Sequence, residues 1–423
     1  MHWSKLIAVL IVDLSLAIVA HIPDSGPQHH GQNYSAVPAA LNPHPTGSEI
    51  PPSLDTLPPH HSEQLRGRRK TFLRPSFKAE DAPINAKLSK LNTDRSTIST
   101  AISYTNSVIH GDFPDPGVLY NPYDHRYWVA TTSGDNPDAY AIHSSSNLIN
   151  WTAKGYVFPQ ASAGRPAWAV SDFWAPELHL VGEKHVVYFA ARNRNGMLSV
   201  GAAVSSNDIA GPYIDIGHEL VTSLRFGMID PTFFYDNGTN YLIWKEDAND
   251  PAHCPSRKCP TQIYLSPLDS TGTKLLLPEG RWVVLLNQTQ AWEGPLVEAP
   301  WIIRTNAYYY LFYSGNGYNS PSYALGVARA RALQGPWEKN PRNPIVMTGL
   351  GSFYGPGHCS VMSDGTGEWW YVYHAWNKDG SGRNVMLDKV VFGSDHWPVR
   401  SSPSTSPGPG PAPRPGRGLK KGN

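Results

Sequence analysis

The sequence predicts an all-β fold, a five-bladed β-propeller with disordered N-terminal and C-terminal extensions. Three observations carry that expectation. First, short aromatic and β-branched runs recur through the middle of the chain, at 126–130, 185–190, 241–244, 308–313 and 369–373. They have strand length, Gly, Asn, Asp and Pro punctuate them, and no long stretch keeps a helical period. Second, each run follows a short anchor: Asp115-Pro116, Ala175-Pro176, Asp230-Pro231, Ala299-Pro300 and Gly357-His358. The anchor prolines are 60, 55 and 69 residues apart, and Gly357 lies 57 residues beyond the last. Third, a similar outer segment recurs in three units, as Ser146-Asn147-Leu148 before Trp151, Gly211-Pro212-Tyr213 and Gly335-Pro336-Trp337. Five units of four short strands each make a five-bladed propeller, whereas a sandwich gives no reason for a fivefold spacing near 60.

The segments follow in order. Residues 1–20 read as a signal peptide: Lys5 gives a basic start, 6–20 is apolar apart from Asp13 and Ser15, and Ile18-Val19-Ala20 offers a small-residue cleavage site. The stretch is shorter than the roughly 20 apolar residues a membrane span needs. Residues 21–104 are rich in Pro, His and Ser and contain no Trp, so they read as a disordered linker or pro-segment. Within them Arg66-Gly67-Arg68-Arg69-Lys70 is either a solvated charge run or a dibasic processing site. Every Trp except Trp3 lies between Trp128 and Trp397, which places the propeller domain at 105–400. The Pro/Gly-rich stretch 401–423 reads as a flexible tail, too short to fold as a binding module.

Bulk properties narrow the function. Lys+Arg 35 against Asp+Glu 34 leaves a formal charge of +1, so no global field favours nucleic acid or an anionic membrane. The 14 Trp are core material first, and platforms for the C–H faces of sugars second. Cys254 and Cys259 read as a disulfide-closed loop in an oxidising compartment, and Cys359 as a buried free thiol. Without a Cys-His set, zinc is not expected. Sequons at Asn33, Asn150, Asn237 and Asn287 agree with a secreted, extracellular glycoprotein.

In a propeller the first strand of each blade lines the axis, so the anchors converge. Asp115, Asp230 and Glu298 would then surround one cavity, at equivalent points of the repeat. A lone Asp-Pro is an ordinary turn starter; three convergent acids are a stronger signal. Glycosidic cleavage needs one protonated carboxyl for the leaving oxygen and one ionised carboxylate to activate water. A third acid raises the pKa of the donor by like-charge repulsion. No HExxH, P-loop or GxSxG motif competes.

Phe113-Pro114-Asp115-Pro116-Gly117, Phe173-Trp174-Ala175-Pro176-Glu177, Ile229-Asp230-Pro231-Thr232-Phe233-Phe234 and Val297-Glu298-Ala299-Pro300-Trp301 resemble the motifs of glycoside hydrolase family 43. Gly355-Pro356-Gly357-His358 and Tyr373-His374-Ala375-Trp376 fit its fifth blade, and the resemblance spans about 108–398. It implies an inverting enzyme acting on arabinose- or xylose-containing plant cell-wall polysaccharides, with arabinan or arabinoxylan favoured. Asp115 would be the general base, Glu298 the general acid and Asp230 the pKa modulator. Glu293, in Glu293-Gly294-Pro295, is the alternative acid; Glu298 is preferred because it directly precedes the inner strand. Trp174 and Arg383 are candidate substrate-binding residues, against core packing and a surface ion pair respectively. His358 is a third, with a structural calcium in the central channel as its metal-binding reading and a plain hydrogen-bonding histidine as the other. Glu177 reads as structural. No cofactor is required, and the chain is expected to act as a monomer without nucleic-acid or membrane partners.

Three rivals remain. A β-xylosidase of the same family differs only in loop shapes. Family 32 fructan hydrolases share the propeller, but their Arg-Asp-Pro and Glu-Cys elements are replaced here by Ile229-Asp230-Pro231 and Glu298-Ala299. A sugar-binding propeller without catalysis would have no need of all three carboxylates.

Overall fold

The computed structural model describes residues 102–205, 207–250, 254–256, 259 and 261–414. The expected signal peptide, the linker up to 101, the basic cluster at 66–70 and the Asn33 sequon lie outside them, as does 415–423. Among the described residues no helix is long and apolar enough to cross a membrane.

Five antiparallel sheets follow one another along the chain. Blade I comprises Gly117–Asn121, Arg126–Thr131, Ala139–Ser145 and Trp151–Phe158; blade II comprises Ala169–Val181, Lys184–Asn193, Leu198–Ser205 and Ile214–Asp215. Blade III comprises Gly227–Asp236, Thr239–Asp247, Gln262–Leu268 and Val283–Asn287; blade IV comprises Val297–Thr305, Tyr308–Gly315, Ala324–Ala330 and Glu338–Lys339. Blade V departs from the expected four strands and has three: Phe353–Ser363, Trp369–Asn377 and Arg383–Val390. The entering chain covers its open edge instead. Val108 N–H donates to Val385 O at 2.9 Å, Val385 N–H to Ile109 O at 3.0 Å and Phe113 N–H to Arg383 O at 2.8 Å. Asn106 stands in for further backbone, donating to Leu387 O at 2.9 Å and accepting from Leu387 N–H at 2.8 Å. The first residues of the domain therefore close the ring and cover an edge strand that would otherwise stay exposed.

The continuous apolar runs follow from this packing. Side chains alternate across a strand, and both faces of each blade meet a neighbour. Tyr310 and Phe312 pack against Val361, Tyr371 and Tyr373 of blade V, while Tyr309, Leu311 and Tyr313 pack against Ile243, Ile263 and Leu265 of blade III. The other three interfaces repeat the pattern. Each fully buried side chain of this size contributes roughly 1.5–3 kcal/mol.

The tail departs from its expectation. The Ser401 amide donates to Ile345 O at 2.7 Å, Gly408–Pro409 pairs with Ser103–Tyr104, and the Arg414 guanidinium lies 3.9 Å from the Tyr120 ring centroid. Packed structure thus runs beyond 105–400 at both ends. A Pro-rich segment cannot build its own core, but it loses little entropy on docking and has few amides to satisfy.

The disulfide between Cys254 and Cys259 is present, and Cys359 is free and buried. Asn150, Asn237 and Asn287 are exposed.

Candidate active site

The repeat has a backbone signature at the axis. Asp115, Ala175, Asp230, Ala299 and His358 all adopt left-handed φ, between 46° and 56°. Such φ values are costly for residues with a Cβ. In blades II to V they coincide with bulges in the first strand, which re-aim the side chains toward the axis. This register corrects one expectation. Asp115, Asp230 and His358 are equivalent positions, but Glu298 is not: it precedes the anchor Ala299, as Trp174 precedes Ala175. The third acid therefore approaches the axis from a neighbouring point of the pleat.

A cavity of about 580 Å³ opens at this end of the axis, and Asp115, Asp230, Glu298, Trp174, Arg383 and His358 all line it. Asp115 is held on every side. Thr132 donates its hydroxyl to Oδ2 at 2.6 Å, while His358 Nδ1 and His374 Nδ1 each lie 3.2 Å from Oδ1 and Arg383 Nη1 lies at 3.7 Å. Burial raises the Asp115 pKa, but the His358 and Arg383 charges and the imidazole contacts outweigh it and hold the carboxyl well below the usual range. The two histidines differ. Burial opposes a charge on His358, yet the Asp115 carboxylate lifts its pKa to about 9. Burial pushes His374 down to about 4. Its ring is therefore neutral, and its Nδ1, 3.1 Å from the Asp115 amide nitrogen and 3.2 Å from Oδ1, makes a hydrogen-bonding contact and not an ion pair.

Glu298 Oε2 accepts from Lys245 Nζ at 3.0 Å, and Oε1 accepts from the Tyr323 hydroxyl at 2.7 Å. Tyr323 itself is pressed against Gly357, where an added Cβ would stand 1.8 Å from its ring. Lys245 is buried and also donates to Asp247 Oδ1 at 2.9 Å. Asp247, Glu298 and Asp230 together keep its ammonium charged against the cost of burial. Asp230 Oδ2 accepts the Ala299 amide at 2.9 Å, which ties Asp230 to the residue after Glu298. Burial, together with the Glu298 and Asp115 charges, raises Asp230 to about 7, although His358 and Lys245 oppose the rise.

Glu293 does not line the cavity. It is fully buried, and its oxygens accept from the Thr289 and Gln290 amides at 2.6 and 2.9 Å, the Tyr313 hydroxyl at 2.8 Å and the Lys339 ammonium. Glu177 is buried beside His179 Nε2 at 2.9 Å. Trp174 is partly packed on Ala190, Leu198 and Ile229. Arg383 pairs with Asp112 at 3.8 Å as well as reaching Asp115, so the surface-pair and pocket readings both describe it.

His358 turns its Nδ1 to Asp115, and among the described residues no group of three or more His, Cys, Asp or Glu is arranged to hold a metal ion. Calcium takes six to eight oxygen ligands, so no step below uses one.

Sequence reasoning missed Thr132, Lys245, Tyr323 and His374. Lys245, Ser314 and His374 occupy matching places on second strands, paired with Ile229, Glu298 and Gly357, and Thr132 holds the same place by its bond to Pro114 O. Three of them cap the anchor amide of the next blade: Thr132 that of Ala175, Ser314 that of His358 and His374 that of Asp115. The available signal was a Lys and a His ending apolar runs, Ile243-Trp244-Lys245 and Val372-Tyr373-His374.

A closed propeller whose axial cavity gathers three carboxylates from three blades has the architecture of a glycoside hydrolase. The chain belongs to the glycosyl hydrolases family 43, whose description matches residues 104–398. A thermostable family-43 glycoside hydrolase of known structure is 31% identical, with a TM-score of 0.65 over 73% of this chain and 99% of that one. A probable arabinan endo-1,5-α-L-arabinosidase A of Aspergillus clavatus is 25% identical over 340 residues, 72% of this chain and 99% of the relative. An extracellular exo-α-(1→5)-L-arabinofuranosidase of Streptomyces chartreusis is 28% identical over 275 residues, covering 61% and 78%.

Proposed function

We propose that this glycoside hydrolase is secreted and cleaves α-L-arabinofuranosyl linkages of arabinan or arabinoxylan with inversion. The observation that carries the reading is the gathering of Asp115, Asp230 and Glu298 on one cavity, with Asp115 held ionised. Asp115 is clamped in its ionised form by His358, Arg383 and Thr132, as an acceptor for a water proton must be. Glu298 lines the same cavity, where the Tyr323 hydroxyl and the Lys245 ammonium fix its two oxygens and the Ala299 amide ties it to Asp230, the place a proton donor to the leaving oxygen must occupy.

In the reaction, a water between Asp115 and the anomeric carbon gives its proton to Asp115 as its oxygen bonds to that carbon. The glycosidic C–O bond breaks, and Glu298 gives its proton to the departing oxygen. The products are a free sugar of inverted configuration and a shortened chain; proton exchange with solvent resets both carboxyl groups. The names of the relatives favour arabinan over xylan, and two are called extracellular. Release of arabinose or arabino-oligosaccharides from linear arabinan and arabinoxylan, lost in Asp115→Asn and Glu298→Gln, tests the reading. Release from xylo-oligosaccharides alone would assign β-xylosidase action instead. Binding of arabinan without product would make the protein a lectin.

A further inference from the structure

Tyr318 is 50% exposed on the rim of the catalytic cavity, and the chemistry above makes no use of it. It sits in the loop that joins Tyr308–Gly315 to Ala324–Ala330 of blade IV, and Gly317 and Asn319 line the cavity beside it. The loop is well tied. The Ser320 amide donates to Gly317 O and the Tyr323 amide to Ser320 O, both at 3.0 Å, and the Asn316 side chain donates to Ser322 O at 3.2 Å. Blade V braces it from outside: Trp376 Nε1 donates to Tyr318 O at 2.8 Å, and Trp376 stacks on Tyr354 with ring centroids 6.3 Å apart and planes 10° apart. Arg383 bridges inward, its guanidinium 4.9 Å from the Tyr318 ring centroid and 3.7 Å from Asp115. A half-exposed aromatic ring on a loop tied at several points and continuous with a sugar-cleaving cavity is a binding platform, since an aromatic face suits sugar C–H groups.

The direction of the chain follows from Glu298. The acid must touch the oxygen that leaves, so the leaving sugar lies on the Glu298 side. The Tyr318 loop ends at Tyr323, whose hydroxyl is 2.7 Å from Glu298 Oε1. We propose that Tyr318, braced by Trp376, forms a second subsite that stacks the pentose unit on the leaving-group side of the scissile bond. This rests on the pentosan-hydrolase reading above and deepens it: the preferred substrate is an oligomeric chain, and Trp174 and Tyr318 both line the cavity that receives it.

The test compares a pentose trisaccharide with the methyl glycoside of the same pentose, which lacks a leaving sugar. Tyr318→Ala is expected to lower kcat/KM at least tenfold more on the trisaccharide than on the methyl glycoside, and Tyr318→Phe or Tyr318→Trp to restore most of the difference. Equal losses on both substrates, or no loss, overturn the subsite. A binding arm needs no turnover: in a Glu298→Gln background, adding Tyr318→Ala should weaken trisaccharide binding about tenfold in Kd by calorimetry. An unchanged Kd overturns the proposal even in an active enzyme. Failure of the wild type to cleave any pentoside overturns the functional reading separately.

Discussion

The His358–Asp115 contact makes a prediction that the pH scale isolates cleanly. His358 rises from 6.5 to about 9 because its Nδ1 lies 3.2 Å from the Asp115 carboxylate in a buried site. A raised pKa means that the folded state binds the proton more tightly than the unfolded chain. The stabilisation is therefore fully present below pH 6.5 and is lost as pH climbs through about 9. At about 1.4 kcal/mol per tenfold, the rise corresponds to about 3 kcal/mol. His358→Gln removes the charge and keeps a polar side chain, and any backbone cost at this left-handed position is the same at every pH. Unfolding followed by tryptophan fluorescence should place the variant below wild type at pH 6 by about 3 kcal/mol, or roughly 5 °C in Tm for a domain of about 300 residues. By pH 10 the gap should nearly close. A gap of equal size at both pH values would mean that His358 is not charged in the folded state, and the account of why Asp115 stays ionised would fall with it.

Asp230 carries the opposite sign. Its carboxyl rises from 3.8 to about 7, so its ionisation destabilises the fold progressively as pH rises across that range. Asp230→Asn should unfold at a higher temperature relative to wild type at pH 8 than at pH 4, while losing activity; an advantage independent of pH would refute the assignment. Glu293→Gln should cost about 3–5 kcal/mol in denaturant melts by breaking a buried network with Lys339 and Tyr313. The same change at Glu298 should leave a folded protein whose kcat is lower by roughly 10²–10⁴-fold, the usual worth of a general acid. Lys245→Met should cost about 3–5 kcal/mol and move the pH–rate profile upward, because Asp230 loses a cation that holds its pKa down; an unmoved profile would make Lys245 merely structural.

The propeller was legible because its physics repeats. Both faces of every blade are buried, so each second strand becomes an uninterrupted apolar run, and the Pro-marked bulges recur near every 60 residues. Asp115 and Asp230 were legible for the same reason, as polar residues at a repeated point. Glu298 was found through its motif, although its place one residue before the anchor became visible only in the φ pattern. Lys245 and Tyr323 escaped because their importance lies in cross-blade contacts that no local spacing encodes. The tail was misread because composition reports whether a segment can fold alone, not whether it can dock on a finished surface. Blade V's missing fourth strand has the same origin, since the chain that covers its edge comes from the other end of the domain.

The central claim is that Asp115 and Glu298 act together in a single displacement. The most direct measurement is proton NMR of the first product anomer released from an arabino-oligosaccharide in deuterated buffer, taken before mutarotation. The account predicts that the inverted β-arabinofuranose anomer appears first, and that Glu298→Gln releases none. Appearance of the α anomer first would show retention through a covalent intermediate and contradict it.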